Sequence, residues 1–536
     1  MTERQPVLFP DFVPEPPRPA STYPIAVIEL GTSAIRMAIG QTDGVSGVKS
    51  LEQLVRGVSL GKDTFTRREI QRETMLQCID VLKSYRRKLE EYQCTNPQDI
   101  RVVATSAVRE ATNRMAFLDR IYTATGFAVE PIDDAEIARV TYLGIRPLLE
   151  TSAELRDSTI MLMEVGGGHT DVLLLEGKTI LLSHAYRLGS LRLQQMLRQY
   201  NASRDQAASI MSGQIDRTLE QIRESLPKTS RIELLALGGD MRFAARLLQL
   251  DISNSRIVHM PTADLAKLTH KLLQLSVDQI SRRYHLELTQ AETLVPALLA
   301  NLRAAQMLNA EYLLVTPFNL RDALLQGMLR TADWSEDFRD QIIHSARVLA
   351  RRYGVDVAYA EHVANLSRRL FQSLQTLQSL HNLDIHSEII LYVAAMLHEV
   401  GLFVSSSAYH KHSYYVINNS ELFGLSASDQ RLVALVARYH RRAMPKATHQ
   451  EFAQLSRDDR VLVSRLAGIL RVALSLDHSR SQRIRDIECS IERKRFIIRT
   501  PAQAGDLAME RLELRQNASL FEDVFGLSVL LRLERP

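Results

Sequence analysis

The chain has 536 residues, 45% of them apolar and 24% charged, which is enough to build three or four domains with real cores. Its net charge of +4 and pI of about 8.8 allow an anionic substrate without demanding one. Three cysteines, Cys78, Cys94 and Cys489, have no metal-ligand spacing and exclude a disulfide framework, which fits a reducing compartment.

In chain order, Met1–Pro24 carries Pro14, Pro16, Pro17 and Pro19 and reads as a disordered arm, 1–23, with no signal peptide. A first α/β domain, 24–150, opens with apolar runs Ile25–Leu30 and Ile35–Ile39, two predicted strands around Glu29-Leu30-Gly31-Thr32-Ser33. An amphipathic helix over Arg67–Tyr92 follows, then a strand at Ile100–Ala104 and a helix over Asn113–Thr123 with Asn113 as its cap. A strand at Phe127–Ile132 leads to Asp133 or Asp134, either of which can cap the helix bearing Glu136 and Arg139.

A polar bridge, Thr151–Ser158, precedes a second α/β domain, 151–332. Thr159–Val165, Thr170–Leu175 and Lys178–Ala185 form a predicted meander, with helices through Ser225. Ile232–Leu237 is a strand running into Gly238-Gly239-Asp240, a strand-to-helix turn with the amides of an anion site. Tyr312–Thr316 is the last strand, and a helix begins at Arg321. From Trp334 to about Leu476 helical periodicity takes over, defining an all-α domain, 333–480. A small α+β tail, 481–536, has a strand at Phe496-Ile497-Ile498. The longest apolar stretch, Ile389–Val404, is broken by His398 and Glu399 and reads as a buried helix, so a cytoplasmic protein with no membrane partner is expected.

Glu164-Val165-Gly166-Gly167-Gly168-His169-Thr170-Asp171 joins the first two strands of the meander. Three glycines there are either a bare hairpin turn or a cradle whose N–H groups take a phosphate, flanked by acids that hold a divalent cation. The strand, acid, glycine and small polar order around Glu29 repeats the pattern, and a repeat is a fold-level signal. Paired hairpins of this kind are the plan of the actin, sugar-kinase and heat-shock ATPase fold.

The resemblance then becomes specific. Val103-Ala104-Thr105-Ser106-Ala107-Val108-Arg109-Glu110-Ala111, the segment Thr125–Gly144 with Ala135-Glu136-Ile137-Ala138-Arg139, and the helical segments Tyr409–Ser413 and Arg438–Arg442 resemble the exopolyphosphatase / guanosine pentaphosphate phosphatase (Ppx/GppA) family. The likeness implies two actin-like domains, an HD-like helical domain and a small tail. It implies release of terminal phosphate from polyphosphate or guanosine pentaphosphate, with Mg²⁺ or Mn²⁺, in a homodimer, and no nucleic acid is expected as a partner.

Under that resemblance Glu136 is the catalytic base, and Arg109 and Arg139 are phosphate clamps. Gly31, Thr32, Ser33, Gly166, Gly167, Gly168, His169, Thr170, Gly238 and Gly239 contact phosphate, while Glu29, Glu164 and Asp171 hold the metal. His410, Lys411, His412, Arg438, His440, Arg441 and Arg442 form a basic track for a long anion, or else an ordinary solvated surface. The sequence departs from the family at several points. Ile137 replaces the second glutamate of the catalytic segment, and Ala34 and His169 replace hydroxyl residues. Asp240 follows the Gly238-Gly239 turn, and Phe318 replaces a glycine. These changes keep a second reading open, a weakened relative that binds polyphosphate or a guanosine nucleotide. An HD-type metal set would use His362, His398, Glu399 and the position of Leu474, with Asp477 three residues on. Its missing carboxylate makes a structural role the expectation.

Overall fold

The computed structural model describes residues 23–328 and 336–533, apart from 43–47, 153–154, 157, 178, 201–203, 228–230, 253–256, 379–382, 442 and 502–504. The proline-rich arm and Arg442 lie outside the described residues.

The chain forms two compact units. The first runs to Pro131 and takes back the segment beginning at Arg321. Its sheet contains β1 (Pro24–Leu30), β2 (Ala34–Thr42), β3 (Val48–Gly57), β4 (Ile100–Ala104) and β5 (Val129–Pro131), in the order β3-β2-β1-β4-β5. β1 runs antiparallel to β2 and parallel to β4. Alternate residues of β1 and β2, Ala26, Ile28 and Leu30 with Ile35, Met37 and Ile39, face one core. Met75, Cys78, Ile79, Leu82 and Leu89 of the helix Arg72–Glu91 fill it, at the three- and four-residue spacing that puts them on one helical face. Asn113 does not cap its helix. Its carboxamide instead accepts from Ile70 N–H at 3.0 Å and donates to Ile70 O at 2.9 Å, because a two-way bridge satisfies both ends of the amide.

The second unit repeats the plan. β6 (Thr159–Val165), β7 (Thr170–Glu176), β8 (Thr179–Tyr186), β9 (Ile232–Leu237), β10 (Val258–Pro261) and β11 (Tyr312–Val315) form a sheet of order β10-β11-β9-β6-β7-β8. Without β10, the order β8-β7-β6-β9-β11 matches that of the first sheet, so the repeat seen around Glu29 and Glu164 is a repeat of topology. β6 alternates between two cores. Met161, Met163 and Val165 face helix Leu288–Met307, while Ile160 and Leu162 face the helical region.

That second core fixes the limits of the unit. It runs from Leu162 and Leu173 through Tyr142, Ile145 and Leu149 of the helix Asp134–Thr151 and on through helices Val357–Gln378, Ile385–Leu397, Ala427–Arg438 and Arg457–Leu476. It ends at Phe496 and Phe521 of the tail, where β12 (Glu488–Glu492), β13 (Arg495–Thr500) and β14 (Ser528–Leu533) make a three-stranded sheet. The compact units divide after Pro131, and the segment returned to the first unit ends beside the expected limit at 332, while one core continues through 480 into the tail. One helical stretch, Ile385–Phe403, is long and apolar enough to cross a membrane, but 83% of its window is buried inside this core.

Candidate active site

Register brings Glu164 and Asp171 together. They are direct partners across the β6–β7 hairpin, so both side chains leave the same face of the sheet. Glu164 lies over the next turn as well, since a Cβ placed on Gly238 would stand 3.8 Å from its carboxylate. Gly238 has φ of +103°, a conformation that requires glycine, and begins the helix Gly239–Leu247. A cavity of about 250 Å³ connects these acids to the start of the helix Asp134–Thr151. Asp133, Asp134, Glu164 and Asp171 stand on its wall over an apolar floor that includes Leu162 and Phe423.

The glycine loop between the strands is turned by its neighbours. Ser190 N–H donates to the carbonyl of Gly166 at 2.9 Å, Leu191 N–H to that of Gly167 at 3.0 Å, and Arg192 Nε to that of Gly168 at 2.7 Å. In a trans peptide the N–H points away from the carbonyl of the same plane. The N–H groups of Gly167, Gly168 and His169 therefore face the opposite side, as an anion cradle requires. The fit depends on Gly189, whose Cβ would meet the Gly167 oxygen at 2.2 Å. Thr170 has a different place from the one expected. It is fully buried and its hydroxyl donates to the carbonyl of Leu188, closing the hairpin, so it is no phosphate contact.

Glu136 sits in the first turn of its helix, whose N-terminus is capped by Asp133 accepting from the Glu136 N–H at 2.8 Å. Asp133 also accepts from Ala427 N–H at 2.7 Å, tying the helix start to the helical region. Arg139 grips both oxygens of Glu136, at 2.6 and 2.8 Å, with its guanidinium 5.8 Å from the Phe338 ring. With Nε and Nη2 engaged on Glu136, Arg139 holds that carboxylate in place.

In the first unit the loop after β1 is held in the same manner. Gly61 N–H donates to Thr32 O at 2.7 Å and Val58 N–H to Ser33 O at 3.0 Å, which turns the amides of Ser33 and Ala34 the other way. Arg109 ends the short helix Ser106–Arg109, anchored beside this loop by Thr105, whose N–H donates to Leu30 O at 3.1 Å. Glu29 leaves the metal set. Arg321 NH1 lies 2.5 Å from one of its oxygens and Arg36 NH1 3.6 Å from the other, so a cation there would have to displace a guanidinium. A separation of 292 residues hides the Glu29–Arg321 pair from any local reading of the sequence.

His398, His440 and Glu399 of the helical region are committed to protein partners. His398 is buried, and its Nδ1–H donates to Ala395 O at 2.7 Å with its ring 5.1 Å from that of His440. Burial pushes both imidazoles below their ordinary pKa. Glu399 pairs with Arg480, whose guanidinium lies 4.2 Å over the Tyr359 ring. Asp477, and not Leu474, approaches His362, at 3.8 Å. Among the described residues no cluster of three metal-ligating side chains forms, here or elsewhere.

The basic track is reduced. Arg438 pairs with Glu451 at 3.1 Å and packs on Tyr414, and buried His440 accepts from Tyr409 OH at 3.0 Å. His410, Lys411, His412 and Arg441 remain at or near the surface, with Arg441 over the Tyr409 ring at 4.9 Å.

Known proteins resemble this chain over most of its length. The Ppx/GppA phosphatase family model matches residues 28–332, and that of Ppx/GppA phosphatase, domain III, matches 343–523. A guanosine-5'-triphosphate,3'-diphosphate pyrophosphatase of Photobacterium profundum is 22% identical over 502 residues, covering 93% of this chain and 96% of that protein. Its counterpart in Vibrio parahaemolyticus is 22% identical over 503 residues, covering 92% and 95%. The crystal structure of an exopolyphosphatase from Cytophaga hutchinsonii matches in fold with a TM-score of 0.50 at 21% identity, over 57% of this chain and 97% of that one. The match of the family model over more than half the chain settles the relationship: the chain belongs to the Ppx/GppA phosphatase family.

Proposed function

We propose that the protein releases terminal phosphate from guanosine pentaphosphate or inorganic polyphosphate, with Glu136 as general base and a divalent cation, Mg²⁺ or Mn²⁺, held by Glu164 and Asp171. The observation that carries this is the register pair Glu164–Asp171, at the base of the glycine loop and on the wall of the cavity where the helix bearing Glu136 begins, although Glu136 itself does not line that cavity. The donor set fits such a cation. Magnesium takes one or two carboxylates and fills its remaining positions with water and substrate oxygens, and two acids on one strand pair supply that number. When bound, the cation offsets charge on the phosphoryl oxygens.

The chain's own residues do the rest. The amides of Gly167, Gly168 and His169 receive phosphate oxygens and cost no reorganisation, because the other face of the loop is bonded to Ser190, Leu191 and Arg192. Arg139 holds both oxygens of the Glu136 carboxylate and so fixes its orientation for receiving the proton of an attacking water. The acids on the cavity wall repel a bare polyphosphate, which makes the cation part of substrate binding as well as of chemistry. The helical region keeps the histidines of an HD-type site but gives Glu399 to Arg480, and we read it as structural. The homodimer implied by the family belongs to the same proposal.

The test is phosphate release in EDTA, followed by restoration. Activity should vanish with the chelator and return with Mg²⁺ or Mn²⁺, and Glu164→Ala should abolish it or raise the cation concentration needed at least tenfold. Full activity of the parent in EDTA would remove Glu164 and Asp171 from the mechanism.

A further inference from the structure

A second cavity lies in the helical region and shares no lining residue with the first. It measures about 550 Å³ and is walled by Arg339, His362, Arg368, Arg369 and Arg485, with the amides of Asn365 and Gln372. Among the described residues, no carboxylate lines it. Helix geometry gathers these groups. Asn365, Arg368, Arg369 and Gln372 recur every three or four residues along Val357–Gln378 and so share one face, while Arg339 comes from Glu336–Arg352 and Arg485 from the segment before β12.

The acids around the cavity do not neutralise it. Glu388 lies behind the wall, 3.6 Å from Arg339 NH1 and 3.1 Å from Arg368 Nε, and accepts from Gln372 at 3.2 Å. Asp486 reaches Arg369 at 2.8 Å, and Asp477 stands 3.8 Å from His362. Arg485 makes only a 3.3 Å bond to the carbonyl of Gln482. Nε of Arg339 is buried and makes no hydrogen bond, while the buried Nε of Arg368 and Nε2 of His362 have only their ion-pair contacts to Glu388 and Asp477. Four convergent guanidiniums that share Glu388 and Asp486 leave an excess of positive charge, which is costly in a partly buried wall, and a multivalent anion would relieve it.

From this arrangement we infer that the cavity is a second anion site, built for linked phosphates. Each guanidinium can give two parallel bonds to phosphate oxygens, and four of them spread around a cavity of about 550 Å³ can serve more than one phosphate group at once. The ligand is therefore a di- or oligophosphate group, carried by a nucleotide or by inorganic polyphosphate. Arg369 and Arg485 are the exposed members, and Arg339 and Arg368 the half-buried ones that orient it.

Titration calorimetry of the full chain with imidodiphosphate, which is not hydrolysed, tests the site. Arg369→Glu with Arg485→Glu should remove one equivalent of bound ligand or weaken binding at least tenfold, and Arg369→Gln with Arg485→Gln should weaken it less. Arg369→Lys with Arg485→Lys should keep most of it. Competition assigns the source. Displacement by guanosine pentaphosphate and not by long polyphosphate indicates a nucleotide site, and the reverse indicates inorganic chains. Unchanged stoichiometry and affinity in both the glutamate and the glutamine pairs, with folding verified by circular dichroism, would overturn the proposal.

Discussion

Single residues decide what this site can do, and two of them exchange the work expected of them. Arg139 was expected on phosphate but holds the Glu136 carboxylate, and Glu29 was expected on metal but is held by Arg321 and Arg36. The residue types were legible in the sequence, while their partners were not, because charge says nothing about which oppositely charged group a side chain meets first. The buried imidazoles bring a pH dependence. Burial lowers the pKa of His398, His440 and His362 in the folded state, so the unfolded chain takes up protons first as pH falls below about 6.5. The stability contributed by the neutral forms is complete above that pH and is lost on acidification. His398→Ala should cost on the order of 2 kcal/mol at pH 8, through its cavity and the unpaired Ala395 carbonyl. The gap between parent and variant should narrow toward pH 5, where the parent loses what the variant never had. Thermal melts of both proteins across that range check this, and a gap that widens would contradict it.

At the level of elements, the β6–β7 hairpin was the most legible part of the chain. Apolar runs bounded by glycines gave both strands, and the acids at their ends fell into register. β3 and β10 were missed for a physical reason. β3 is an edge strand with mostly exposed residues, and β10 is a four-residue edge strand ending at Pro261, so neither shows a buried run. Arg471 was equally hidden: a guanidinium buried in a helix, donating to the carbonyls of Tyr439 and Ala443 at 2.8 and 2.6 Å. The cradle itself gives a sharp prediction. Gly189→Ala would drive a methyl group into the Gly167 carbonyl, and overpacking against backbone costs about 1–3 kcal/mol. Phosphate release should fall at least tenfold as the loop amides are displaced. Gly213→Ala, in a helix with nothing within 4 Å, should leave activity intact and raise stability by about 0.5–1 kcal/mol. Equal activity in the two variants would mean that the loop is only a turn.

Across the whole chain, the duplicated α/β plan could be read from its two acid–glycine hairpins, whereas the limit of the first compact unit at Pro131 could not. Composition changes at 333, yet one core joins β6 and β7 to the helical region and the tail. The helix Asp134–Thr151 goes with that core because Tyr142, Ile145 and Leu149 face it. The substituted positions, Ile137, Ala34, His169, Asp240 and Phe318, leave hydrolysis, kinase-like chemistry and simple binding as the outcomes to be separated. The most direct measurement is phosphate release by purified protein from guanosine pentaphosphate, polyphosphate and ATP side by side, repeated with Glu136→Gln. Glutamine keeps the shape of the side chain but cannot take the proton, and loss of a positioned base costs about 10²–10⁴ in rate. The account predicts Mg²⁺-dependent release from guanosine pentaphosphate or polyphosphate in preference to ATP, reduced by that factor in the variant while substrate binding persists. Unchanged turnover in the variant, or tight binding with no phosphate released by the parent, would contradict it.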